Sequence, residues 1–155
     1  MATATELVVE AELANLLAVA AAEGWQIKAL TTTSFLIGFS SGSDWVWVHC
    51  QADDYPGLPP AWRWTNAAGD RFDEDDLTPR REGDASTFFH PNGVICAPWN
   101  RLSYTSIDSR GPHNDWDIGD WKRNSQLGGG RTLAGMAIRL GLEVRLRFRG
   151  FRQAA

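Results

Sequence analysis

The sequence predicts an α+β domain. A 3.6-residue apolar period near the N-terminus gives way, after Gly24, to a period of two that recurs through several short segments. A helical period returns only near residue 132. Strands gathered between two helices, not alternating with them, argue for segregated layers. At 155 residues the chain is sized for one domain, residues 1–155, and can bury about 70% of its unfolded surface.

The first helix is expected over Thr5 to Glu23. Val9, Leu13, Leu16, Leu17 and Ala20 fall on one face, Glu6 and Glu10 sit early where the helix dipole favours anions, and Gly24 is a stop. Trp25, Ile27 and Ala29 then alternate with polar neighbours, as do Phe35, Ile37 and Phe39. The cluster Ser40–Asp44 reads as a turn before a third strand from Trp45 to Gln51. Prolines at 56, 59 and 60 end it, because proline cannot donate to a ladder, and Ala61–Thr65 makes a fourth strand. The four form an antiparallel meander. Residues 66–87 carry seven acids and three Arg and read as a mobile exposed loop. Residues 101–130 show little periodicity. Thr132 opens a second helix with Leu133, Met136, Ala137 and Leu140 on one face, and Gly141 weakens its end. Val144, Leu146 and Phe148 alternate with Arg145, Arg147 and Arg149, a strand pattern.

Formal charge is −4, which argues against a nucleic-acid coat. The six Arg and one Glu of residues 131–155 give that segment +5 and leave −9 on the rest. This basic segment reads as a solvated strand face, or as a surface for an acidic partner. No stretch approaches the ~18 apolar residues of a membrane span. Leu13–Ala22 is apolar but preceded by acids, not by Lys or Arg, so a signal peptide is not expected, and a cytoplasmic protein with reduced thiols is.

Two cysteines make no disulfide scaffold, and a zinc site drawn from His49, Cys50, His90, Cys96 and His113 lacks ligand spacing. Cys50 shares a strand face with Val46 and Val48 and reads as core. Eight Trp are many for this length, and the rows Trp45/Trp47 and Trp62/Trp64 read as core packing more readily than as a stacking platform. Cys96 lies on a loop between Gly93 and Pro98, with Asn92 four residues upstream. A thiol is suited to carrying an acyl group as a thioester, and an amide can donate to a developing oxyanion. A buried Cys acting as a small hydrophobe is the other reading. His113, Asp115 and Asp117 lie in a turn-rich stretch after the Cys. Folded over it, they would orient or deprotonate an amine; otherwise they cap Asx turns.

Tyr55-Pro56-x-x-Pro59-Pro60, His90-Pro91-Asn92 and Gly93-Val94-Ile95-Cys96 occur in that order. Together they resemble the Tyr-Pro-x-x-Pro-Pro, His-Pro-Asn and Gly-x-Ile-Cys segments of ubiquitin-conjugating (E2, UBC-like) enzymes. The resemblance spans about Leu7 to Leu142 and implies a helix, a meander, an active-site loop and a crossover helix. It implies that Cys96 accepts the C-terminal carboxylate of a ubiquitin-like protein from an E1-type activating enzyme and passes it to an amine, usually a lysine. Asn92 would stabilise the oxyanion or hold the loop, and His90 would buttress the loop. No cofactor and no metal are implied. Only three residues separate Asn92 from Cys96, fewer than in eukaryotic members, and the first helix lacks the basic residues with which those dock the activating enzyme. These traits resemble compact bacterial E2-like proteins of antiphage operons. Some of these serve CBASS, where the modifier is the ubiquitin-like tail of a cyclase; others serve bacterial ubiquitin-like operons. Two further functions stay open: a thiol hydrolase using Cys96 with His113, and a non-catalytic UBC-fold binding module.

Overall fold

The computed structural model describes residues 1–72, 78–81, 88–90, 92–123 and 130–151. It is α+β: an N-terminal helix, a four-stranded antiparallel sheet and a C-terminal helix. Helix α1 runs Ala4–Glu23. Thr3 and Glu6 form a capping box, with Glu6 N donating to Thr3 Oγ1 at 3.1 Å and Thr3 N to Glu6 Oε2 at 2.7 Å. These bonds, led by the Thr3 amide, hold the Glu6 carboxyl below its ordinary range. Gly24 ends the helix with φ 75°, a left-handed backbone that glycine takes without strain. Val9, Leu16 and Ala20 are buried as the period predicts, whereas Leu17 lies at the margin of that face and is exposed.

Strands β1 (Gln26–Thr31), β2 (Ser34–Ser41), β3 (Asp44–Gln51) and β4 (Ala61–Thr65) pair in sequence order, as the period of two predicts. The register sets Phe35 opposite Cys50, Ile37 opposite Val48 and Phe39 opposite Val46, with Trp62 and Trp64 next across β4. This face forms the core against α1 and α2. Cys50, Trp62 and Trp64 are buried in it. On the opposite face Lys28 lies over the Trp47 ring at 4.4 Å.

Helix α2 spans Leu133–Arg147, so the strand expected from Val144 is corrected. Val144 and Phe148 are buried four residues apart while Leu146 is 53% exposed, a helical and not an alternating pattern. Gly141 does not stop the helix. It makes room for a neighbour: a Cβ there would stand 2.5 Å from Trp25 and 3.2 Å from Phe39, whose rings meet edge to face. Only Phe148–Phe151 is strand; it is β6, and it pairs with β5, Pro79–Arg81. That short strand corrects the reading of 66–87 as loop throughout, although residues 73–77 and 82–87 lie outside the described residues.

Tyr55 ties these layers together. Its hydroxyl donates to the Glu12 carboxylate at 2.6 Å and lies 3.1 Å from the Arg131 carbonyl, and Glu12 Oε1 also accepts from Leu133 N at 2.8 Å. One carboxylate from α1 thus caps the start of α2 and anchors the segment between β3 and β4. Burial, then Glu12, drives the Tyr55 phenol far above its ordinary pKa. Pro59 and Pro60 are buried beside β4, where Pro60 O accepts from Arg101 N at 3.0 Å. Among the described residues no helix is long and apolar enough to cross a membrane.

Candidate active site

Cys96 sits on an extended segment fixed on both sides. Val94 bridges to Arg63 of β4. The buried Asn100 side chain donates to Ile95 O at 2.7 Å and Trp62 O at 3.0 Å, and accepts from Trp62 N at 2.9 Å. The Ser103 hydroxyl donates to Ile95 O at 2.9 Å and accepts from Ala97 N at 3.0 Å. Both neighbours of the cysteine are therefore locked to side chains that no water reaches. Asn100 also caps the 3-10 turn Arg101–Ser103. Arg101 reaches back to Gln51 O at 3.1 Å and pairs with Asp53, whose carboxyl this bond holds below its ordinary range.

The histidine arrives on the next bracket. His113 N donates to Ser103 O at 3.0 Å, Thr105 N donates to His113 O at 3.0 Å, and Tyr104 and His113 form a parallel bridge. The chains can approach because Gly111 has no side chain: a Cβ would lie 2.6 Å from the Tyr104 carbonyl carbon. The result is a contact of 2.8 Å between Cys96 Sγ and His113 Nε2. Asp115 Oδ1 lies 3.7 Å from the other ring nitrogen. The imidazole stacks on Trp116, centroids 3.4 Å apart and planes 5° from parallel. Cys96 is buried at 8% exposure, against 0% for Cys50. Burial pushes the Cys96 thiol above its ordinary pKa, which favours the S–H form over the thiolate.

Asn92 serves the loop. Its carbonyl oxygen faces His90 Nδ1 at 2.6 Å and accepts from Val94 N at 3.0 Å, while its amide donates to Arg110 O at 3.0 Å. The Asn92 backbone N–H also points to His90 Nδ1, at 3.3 Å. These contacts tie the Asn92 side chain to the turn and to Arg110, with His90 against it. Pro91 lies outside the described residues. The two Asx readings divide: Asp117 caps the 3-10 turn Ile118–Lys122 by accepting from Gly119 N at 2.9 Å, whereas Asp115 faces the histidine.

A cleft of 190 Å³ lined by Pro98, Tyr104, Asp115, Trp116, Asp117, Asp120 and Trp121, and so by the two residues that contact the His113 ring, lies next to the histidine. Burial, with Asp120 and Asp117, pushes the Tyr104 phenol up to about 12. Such walls favour a cation. His49 and Cys50 sit on β3 away from this site, and among the described residues no group of three metal-ligating side chains is assembled.

Sequence spacing singled out Cys96, His113 and Asp115. It missed Asn100, Ser103 and Trp116, which act through contacts that only the fold creates. Asn100-x-x-Ser103 after a Cys segment carries no local signature beyond a turn cap. Comparison with family models, curated proteins and solved structures finds no match to this chain.

Proposed function

We propose that the chain is a UBC-like conjugating enzyme whose Cys96 carries the C-terminal acyl group of a ubiquitin-like protein, or of a cyclase with a ubiquitin-like tail. The carrying observation is the 2.8 Å contact of Cys96 with His113, in a segment bearing the ordered His90, Asn92 and Gly93–Cys96 motifs. The α+β order of helix, meander and second helix is compatible with this fold.

In the first step the Cys96 sulfur attacks the thioester carbonyl delivered by the activating enzyme, and its proton passes to His113 Nε2. The tetrahedral adduct collapses, the activating enzyme's sulfur leaves and takes up that proton, and the acyl group is now on Cys96. In the second step an amine, a lysine in the ammonium form, enters the acidic aromatic cleft. It gives one proton to solvent water as it approaches the thioester and a second to His113 as it attacks. The C–S bond breaks, an amide forms and the Cys96 thiol is restored by the proton from His113. Asp115 keeps the ring oriented. A bacterial antiphage operon is the setting this reading favours, in a reducing cytoplasm that suits two free thiols.

The test is incubation with the activating enzyme and modifier encoded beside the gene, plus ATP. The expected product is a Cys96-dependent adduct cleaved by reductant, replaced in Cys96→Ser by a reductant-resistant oxyester. No Cys96-dependent adduct with those partners overturns the proposal. The same Cys96–His113 contact, with Asp115 behind it, supports a second reading as a thiol hydrolase. It predicts hydrolysis of a model thioester in the absence of any amine, with no transfer product when amine is added.

A further inference from the structure

Among the described residues the shortest separation of two rings is that of His113 and Trp116. At 3.4 Å between centroids, with planes 5° from parallel, one ring lies directly over the other at van der Waals contact. Neutral aromatic rings prefer an offset or an edge-on approach to this full overlap, because their faces carry like charge. Other pairs in the chain follow that preference: Trp25 meets Phe39 at 80°, Trp62 meets Trp99 at 86°, and Trp64 stacks on Phe89 only at 5.2 Å. A cation, in contrast, is drawn to the centre of a ring face, and indole is the strongest such face. The overlap therefore suits an imidazolium better than an imidazole. Trp116 is itself tied to the cysteine segment. Its ring meets the Tyr104 ring at 5.7 Å and 67°, and the Tyr104 hydroxyl donates to Pro98 O at 2.7 Å, two residues beyond Cys96. Contacts thus run from Cys96 through Pro98, Tyr104, Trp116 and His113 back to the Cys96 sulfur.

We propose that Trp116 is a positioning residue for the chemistry of Cys96. Its indole face holds the His113 ring with Nε2 toward the thiol, and it stabilises the positive charge that the ring gains on taking the Cys96 proton. The proton moves from sulfur to Nε2, the sulfur pair is freed to attack, and the new charge forms over the indole. That contact is stronger after the transfer than before it, which is what speeds a step. Asp115 faces the other ring nitrogen at 3.7 Å, but its side chain is 77% exposed, so water screens its charge. The indole contact is not screened in this way, because no water fits between the rings. The inference rests on the reading of His113 as the base for Cys96, which conjugation and thioester hydrolysis share.

The test uses the full chain and iodoacetamide, which needs no partner protein: a C–S bond forms at Cys96, iodide leaves and His113 takes the thiol proton. The rate is measured at pH 7 and at pH 10 for the parent, Trp116→Leu, Trp116→Phe and His113→Ala. Trp116→Leu should be about tenfold slower at pH 7, the size of a partly desolvated cation–π contact, and nearly unchanged at pH 10, where hydroxide removes the proton. Trp116→Phe should stay within about threefold of the parent, since a phenyl face attracts a cation less well than indole but still does so. In the parent, the His113 ring protons should resonate upfield of an ordinary histidine, shifted by the indole ring current, and Trp116→Leu should return them. A slow His113→Ala beside an unchanged Trp116→Leu at pH 7 overturns the role of Trp116 and leaves the base in place. An unchanged His113→Ala at pH 7 overturns the base and this inference with it. Equal losses in Trp116→Leu at both pH values, a Trp116→Phe as slow as Trp116→Leu, or ordinary His113 proton shifts in the parent also overturn the proposal.

Discussion

At the scale of the residue, the two thiols are set apart by their surroundings. Cys50 has no exposure and burial raises its pKa strongly; Cys96 is raised by burial too, but is 8% exposed and has a histidine at 2.8 Å. Alkylation by iodoacetamide should therefore modify Cys96 alone in the folded chain. Its rate should rise with pH through a midpoint above the ordinary thiol value of about 8.5. A plateau already present at pH 6 would instead indicate a thiolate and contradict the raised thiol pKa. Because the thiol is held protonated at neutral pH, the base matters. His113→Ala should slow thioester formation at pH 7 by about 10²- to 10³-fold, while leaving alkylation at pH 10 nearly unchanged. Equal losses in both assays would mean that the substitution had only disturbed the loop.

At the scale of the element, buried side chains take the place of ladder partners in the loop that carries Cys96. Asn100→Ala leaves the Trp62 amide, the Trp62 carbonyl and the Ile95 carbonyl without their side-chain partner. Urea denaturation should show a loss of about 3 kcal/mol, from several buried groups left unpaired at once. Helix α2 tests the opposite expectation for a glycine. Gly→Ala inside a helix ordinarily gains about 1 kcal/mol. At Gly141 the added methyl meets the Trp25 ring, and overpacking of about 1–3 kcal/mol outweighs that gain, so Gly141→Ala should lower the urea midpoint. In a Trp25→Leu background the same change should raise it.

That helix also shows where reading a sequence stops. The residues of α1 and β3 were legible because burial of one face writes its period into the chain, while β2 and β4, buried on both faces, were legible from their apolar and aromatic runs between turn residues. Val144, Leu146 and Phe148 satisfy a period of two and, through Leu140, Val144 and Phe148, a period near four; only the packing, which buries Leu140, Val144 and Phe148 and exposes Leu146, distinguishes them. Cys96 and His113 were legible as chemistry, but their contact required the Gly111 crossing and the Ser103 carbonyl, which are tertiary facts.

At the scale of the whole molecule, stability should fall in acid. Asp53 and Glu6 have carboxyls held below their ordinary range by the Arg101 and Thr3 bonds. Groups lowered in this way contribute stability above their unfolded pKa near 4 and lose it as pH falls through the lowered value. The urea midpoint should thus hold above pH 5 and drop below about pH 4, and Asp53→Asn should flatten that drop. The link that most concerns the fold as one body is Glu12, which α1 extends to both Tyr55 and the first amide of α2. Tyr55→Phe deletes the phenol's bond, and Glu12→Gln replaces an acceptor oxygen by a donor that opposes it. Each should cost about 1–3 kcal/mol, because a charged hydrogen-bonded group is left short of a partner in a buried place. If the carboxylate joins the three segments as a unit, the double variant should fall short of the sum of the singles by at least about 0.5 kcal/mol. Strict additivity would mean that the contacts to Tyr55 and to Leu133 are separate, and that α1 and α2 are held together by the apolar core alone.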